Sequence, residues 1–320
     1  MTSIIGAGLS GLIAATQFPQ AQVFEANGAD AVSHKALLRF RSDKLSRLLG
    51  IPFRKVMVRK SIYADRKHCA PNIELANQYS RKTNGGFLDR SIWAIDPVKR
   101  YIAPDDLQLQ LIDLVGSRLN WNVPIQPDEL GREPMISTMP MSVMLKMLRA
   151  KESAPVIAPG LLDDMFSFSS IKVDRFHIAD ADIYQTIYFP QHNTSVYRAS
   201  MTGSTLIVER MSAFDDSRAL TEGDPFGMVM RAFGLDGCIV ESFELGHAQR
   251  FGKISPINDG LRRQFIYEST VHHHVYALGR FATWRNILLD DVVDDIAIVK
   301  RLISQGHYSA VLQHHKENVL

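Results

Sequence analysis

Cysteine is scarce: the 320 residues include only Cys69 and Cys238. This excludes a disulfide framework and points to a reducing compartment such as the cytoplasm. Long apolar runs are missing as well. None approaches the ~20 residues of a bilayer span, so no membrane partner is expected. The first residues have no signal-peptide pattern, because Met1–Thr2 supplies no basic segment and glycines interrupt the apolar stretch. Repeats and low-complexity segments are absent. Metal-ligand spacing is absent too. His68–Cys69 has no two further ligands nearby. His272–His273–His274, read as strand residues, would point alternately to opposite faces and could not share one ion.

What is present is ordinary globular composition, with 46% hydrophobic and 22% charged residues. Net charge is +2, but it is unevenly spread. Between Lys35 and Lys67 the bases are opposed only by Asp43 and Asp65, whereas 290–295 reads DDVVDD. A basic stretch of this density suits a nucleic-acid backbone, a dinucleotide cofactor or a solvated face.

Residues 3–15 read SIIGAGLSGLIAA. Ser3–Ile5 has the character of a short buried strand, and Leu9, Leu12 and Ile13 recur at helical spacing. Gly6, Gly8 and Gly11, with Leu9 and Ser10 between them, therefore lie where a strand turns into a helix. That is the context a dinucleotide fingerprint requires. Gly6 permits the tight turn, Gly8 lets a pyrophosphate approach the backbone, and Gly11 lets the helix pack on the strand. Gln22–Glu25 reads as a second strand ending in an acid, followed by Ala26. A carboxylate at Glu25 suits ribose hydroxyls and disfavours the 2′-phosphate of NADP.

Further along, 72–82 and 104–118 read as helices, and Met135–Pro140 as a strand ended by proline. Ile171–Ile178, Ile183–Phe189, Ser195–Met201 and Thr205–Met211 form a run of strands separated by turn residues, which predicts an antiparallel sheet. Pro225–Phe233 reads as a helix and Cys238–Leu245 as a further strand. His274–Leu278 reads as a strand, Gly279–Asn286 as a loop, and Asp290–Ile303 as a helix with acids in its first turn.

The closing stretch YALGRFATWRNILLDDVVDDI, 276–296, resembles the C-terminal flavin motif of the amine oxidase and UDP-galactopyranose mutase superfamily. ISTMP, 136–140, is similar to the strand from which that family leaves its cofactor domain. The resemblance implies an α/β fold: a Rossmann-like FAD-binding domain (1–45, 100–150 and 270–320) with an inserted substrate domain on an antiparallel sheet (46–99 and 151–269). It implies FAD as cofactor, with the returning strand beside the first one. By matching position, Gly279 and Arg280 approach the phosphate or ribityl portion. Asp290, Asp291 and Val292 stand at the helix start near the flavin ring, and Val123 packs the adenine. The family's Gly-Gly-Arg turn after the ribose acid is missing here, and Arg39 or Arg41 is the candidate replacement.

The activity implied is oxidation of a C–N bond in a small-molecule amine or amino acid, by hydride transfer to flavin N5. Lys253, in the expected loop 249–256, is the candidate catalytic residue, and Tyr188 and Tyr197 are candidate pocket walls. Two alternatives stay open. Compact members of this look include bacteriophage flavoenzymes acting on amino acids attached to thymine in DNA, which would make DNA a partner. The mutase relatives instead use flavin without net redox chemistry on a nucleotide sugar, with Arg175 or Arg198 holding a diphosphate.

Overall fold

The computed structural model describes residues 2–31, 37–88, 91–151, 157–212 and 224–305. The chain starts with β1 (Ser3–Ile5), all three residues buried. It turns through the glycines into α1 (Leu9–Gln17) and returns as β2 (Gln22–Phe24). β3 (Arg39–Phe40), α2 (Lys44–Leu49), β4 (Arg54–Ala64) and β5 (Lys67–Cys69) follow. α3 (Ile73–Asn84) is bounded by its side chains: Asn72 accepts from the Leu75 N–H at 2.9 Å, and Gly85 ends it at φ 73°.

After β6 (Val98–Ile102) comes α4 (Leu107–Val115), shorter than 104–118. Pro104 stays outside as a turn residue whose carbonyl accepts from the Leu107 N–H at 3.0 Å. β7 (Leu119–Asn120), β8 (Met135–Ser137) and α5 (Met141–Arg149) complete the first half. Four strands then run in succession, β9 (Phe168–Ile178), β10 (Ile183–Tyr188), β11 (Val196–Gly203) and β12 (Thr205–Met211). α6 (Pro225–Phe233) starts where the sequence predicts, with Asp224 accepting from the Phe226 N–H. The chain closes with β13 (Val240–Ile254), α7 (Asp259–His273), β14 (Val275–Ala277) and α8 (Leu289–Gln305).

Two sheets result. The first is parallel, in the order β14-β8-β1-β2-β7. The returning strand β14 therefore does not lie beside β1, as the resemblance implied; β8 stands between them. The reason is hydrogen bonding: β8 offers one edge to β1 and the other to β14 in the same register, so Met135 faces both Ser3 and Val275. The second sheet runs β13-β9-β12-β11-β10-β4-β6-β3, with β5 on β4. It is antiparallel except where β10 meets β4 in parallel. Arg39–Phe40 and Val98–Ile102 pair into this second sheet.

α1 is held between α4 and α8. Leu12 and Ile13 are fully buried among Leu107, Leu111, Val292, Ile296 and Val299. Each such side chain contributes roughly 1.5–3 kcal/mol on burial, so the first and the last described helices share one core. The three histidines are not in a strand. His272 and His273 end α7, and His274 adopts the left-handed conformation, φ 53°. No described helix is long and apolar enough to cross a membrane.

Candidate functional site

A cavity of about 660 Å³ opens at the carboxyl ends of β1, β2 and β8. Gly6, Gly8 and Leu9 form one wall, Glu25, Ala26 and Asn27 another, Val123–Ile125 a third, and Thr138–Pro140 the side toward β8. Open parallel sheets bind ligands at this end, and the volume falls within the ~300–1,000 Å³ typical of ligand sites.

The glycines divide by what surrounds them. Gly6 sits at φ +98°, and a Cβ there would lie 2.4 Å from Thr138 Oγ1. A Cβ on Gly11 would lie 1.9 Å from the Gly6 carbonyl oxygen. The protein's own packing requires both. A Cβ on Gly8 would meet nothing within 4 Å, and Gly8 lines the cavity. Gly8 also caps α1 without a side chain, and no acid stands in the first turn. The positive end of the helix is thus left for an anion.

Glu25 is buried, and its carboxylate ties this corner together. Oε2 accepts from the Ala7 N–H at 2.9 Å, and Oε1 accepts from the Asn27 N–H at 3.0 Å and its side-chain amide at 2.9 Å. The Val123 N–H donates to the Glu25 carbonyl at 2.9 Å.

The closing motif meets the opening one. Gly279 has φ +87°, and a Cβ there would lie 2.6 Å from Ser10 Oγ. The Gly279 carbonyl accepts from the Thr283 N–H (3.0 Å) and hydroxyl (2.8 Å). Arg280 donates to Asn286 at 3.1 Å. Trp284 is buried with φ 48°; its indole N–H donates to the Ser255 carbonyl at 2.9 Å, and its ring meets Phe166 edge-on.

Asp290, Asp291 and Val292 do not line the cavity. Asp290 is buried and accepts from the Arg41 N–H, the Ser42 N–H and the Ser42 hydroxyl. Asp291 pairs with the Arg41 guanidinium at 2.5 Å. Val292 packs in the core. Lys44 pairs with Asp294 at 2.9 Å. The acidic run at 290–295 thus neutralises part of the basic stretch, which the sequence left free to meet a phosphate backbone.

Arg39 reaches neither cavity nor helix. Its side chain inserts over the second sheet, donating to the Thr186 hydroxyl at 2.8 Å, the Thr202 hydroxyl at 2.7 and 3.0 Å, the Gln185 carbonyl at 3.3 Å, and the Met201 carbonyl. Burial, then the charge of Arg198, pull its pKa down to about 9.

Lys253 lies on β13 opposite Ser169, not in a loop. The pairing resumes after a bulge that brings Gly252 against Ile171, where a Cβ would lie 2.5 Å away. The Lys253 ammonium stands 4.5 Å from the centre of the Tyr197 ring. Tyr197 is fully buried, and its hydroxyl donates to Glu209 at 3.0 Å. Arg198 forks onto the same carboxylate, with Nη2 at 2.7 Å. Burial, the largest single influence, would raise the Glu209 pKa, but the Arg198 guanidinium, the Lys253 ammonium and the Tyr197 hydroxyl together hold the carboxyl below its usual range. Sequence reasoning missed Glu209 and Thr186; alternation along β10 and β12 was the available signal.

No protein-family model matches the sequence, and no curated protein does. Solved structures do match in shape. A redesigned putrescine oxidase superposes with a TM-score of 0.54 at 10% identity, covering 98% of each chain. An oxidoreductase from Methanosarcina mazei gives 0.53 at 11%, over 94% of this chain and 99% of that one. A geranylgeranyl bacteriochlorophyll reductase-like protein from Thermoplasma acidophilum gives 0.51 at 13%, over 98% and 82%. The chain has the Rossmann-type fold of these proteins. At these identities the likeness is one of fold. That fold accounts for the parallel sheet with its glycine turn and for the large second sheet packed beside it.

Proposed function

We propose that the chain is an FAD-dependent oxidoreductase acting on the C–N bond of an amine or amino-acid group. The observation that carries the reading is the contact of Gly279 with Ser10, which seats the closing motif on the start of the first helix beside the cavity. The residues present fit the cofactor. Gly8 leaves open space where a side chain would stand. The first-turn N–H groups of α1 would bind the pyrophosphate. Glu25, already fixed by three donors, would accept from ribose hydroxyls, and Val123 would wall the adenine. When bound, FAD supplies an acceptor for a hydride from the substrate carbon.

The chain's own part is binding, orientation and exclusion of water. Gly279 and the 279–286 turn would shape the cofactor's middle portion. Asp290 holds the Arg41–Ser42 segment against the start of α8; in this reading that helix start would face the flavin ring. Glu209, Arg198, Tyr197 and Lys253 form a polar cluster on the second sheet. In it Lys253 supplies a positive charge beside Tyr197; in this reading it is the lysine to substitute first.

An absorption spectrum of the purified protein tests cofactor uptake, and anaerobic loss of the flavin band on adding amines and amino acids tests the reaction. A colourless protein that takes up no FAD ends the reading. Turnover that needs prior reduction but consumes no electrons would favour the mutase-like chemistry instead.

A further inference from the structure

The two ends of the second sheet differ in length. At one end β3 has 2 residues; at the other β13 has 15. Among the described residues β13 pairs with β9 alone, so its far edge meets no strand there. Sheets ordinarily blunt such an edge with a short strand, because a long row of unpaired N–H and C=O groups is a template for another chain. This strand also carries apolar side chains out into solvent. Phe243 is 65% exposed and Leu245 61%, and Ile239, just before the strand, is exposed as well.

Charge is ordered along β13. Its first half, 240–246, holds Glu241 and Glu244 and no base; its second half, 247–254, holds Arg250 and Lys253 and no acid. His247 stands midway between Glu244 and Arg250, and midway between Glu241 and Lys253. Pairing with β9 slips at three places, so the strand offers a partner this order of charge rather than one fixed register. Glu244 and Arg250 are both exposed. Glu241 keeps His177 at 3.1 Å in an exposed pair. The Arg250 guanidinium lies 5.7 Å from the centre of the Phe168 ring and 5.4 Å from that of Phe251, and no acid among the described residues pairs with it.

We propose that this edge pairs antiparallel with the same strand of a second copy of the chain, about a two-fold axis near His247. Antiparallel pairing sets the acidic half of each copy against the basic half of the other, whereas parallel pairing would set like charges together. A two-fold axis uses each contact twice. Glu244 therefore meets the second copy's Arg250, and Arg250 meets the second copy's Glu244. The pairing continues the sheet from one copy into the next, which satisfies the edge and covers part of the apolar surface at Phe243 and Leu245. None of this depends on the flavoenzyme reading.

Sedimentation equilibrium of the purified protein over a range of concentrations tests this. The parent is expected to dimerise reversibly, and less so at high salt. Glu244→Arg and Arg250→Glu each put like charges at both contacts and should weaken the dimer roughly tenfold or more. An equimolar mixture of these two variants restores opposite charges at both contacts and should dimerise like the parent, which misfolded variants could not do. Arg132→Glu, in an exposed ion pair elsewhere, leaves the dimer unchanged. If the reversals lower the melting temperature, His247→Cys combined with Cys238→Ser decides. That variant keeps the four strand charges, and mild oxidation should give a disulfide-linked dimer, because strands that meet at the axis bring the two sulfurs within reach. A parent that stays monomeric at every concentration overturns the proposal. So does a dimer that both reversals leave intact, a mixture no better associated than its components, or a cysteine variant that oxidation leaves unlinked.

Discussion

Asp290 accepts hydrogen bonds from both the backbone N–H of Ser42, at 3.0 Å, and its hydroxyl, at 2.9 Å. A residue of the last helix thus fixes a segment close to the start of the chain. With the Arg41 N–H also on this carboxylate, removing it leaves three part-buried donors without their acceptor. Asp290→Ala is expected to lower stability by about 1–3 kcal/mol. Asp291→Ala, which breaks an exposed ion pair with Arg41, is expected to cost less than about 1 kcal/mol. Urea unfolding of the two variants checks the ranking, and equal losses would contradict it.

The glycine turn separates binding from folding. A methyl group at Gly8 meets open space, whereas one at Gly11 runs into the Gly6 carbonyl. Gly8→Ala should therefore melt within a few degrees of the parent yet retain much less FAD. Gly11→Ala should lose stability whether or not FAD is present. Melting curves with and without added FAD distinguish the two variants. A Gly8→Ala protein that holds flavin normally would count against this turn as the pyrophosphate site.

Glu25 ties the turn to the end of β2 through three donors. In Glu25→Gln an amide nitrogen must face at least one of them. We expect a loss of about 1–3 kcal/mol in stability together with weaker FAD retention. Denaturant titration and the flavin content of the purified variant measure the two effects.

His273 is buried at the end of α7. Burial, with the charge of Lys151 and of its neighbours His272 and His274, pulls its pKa below the ordinary 6.5, against an opposing effect from Glu268. The neutral form belongs to the folded state, so on acidification the unfolded chain takes up this proton first. The stabilisation is present above the unfolded pKa and is lost as pH falls through the folded value. Melting temperature should drop more steeply on going from about pH 7 to about pH 5 in the parent than in His273→Gln. Parallel pH profiles would show that this histidine does not report the transition.

Local pattern carried much of the first sheet. Ser3–Ile5, the glycines and Leu9–Ile13 specify a strand, a turn and a helix by contacts within one short segment, and Asp224–Pro225 and Gly234 bound α6 in the same way. β4 and α7 were harder to read. β4 is strongly basic and shows no clean alternation, and its position follows from pairing with β10 and β6 on either side. The end of α7 reads as a strand in the sequence because three successive histidines carry no helical period, whereas His272 and His273 close the helix.

The amino-acid sequence by itself determined that a small-residue turn joins a buried strand to a helix, with an acid closing the next strand. Those features depend on backbone freedom and neighbouring side chains. Only the tertiary structure decided where the charges go. The acids of 290–295 come to rest on Arg41 and Lys44, while Arg39 turns away to lie over the second sheet among hydroxyls and like charges. Electrostatic partners are set by distance in space, and nothing in the order of residues reports which far-apart segments the core will bring together.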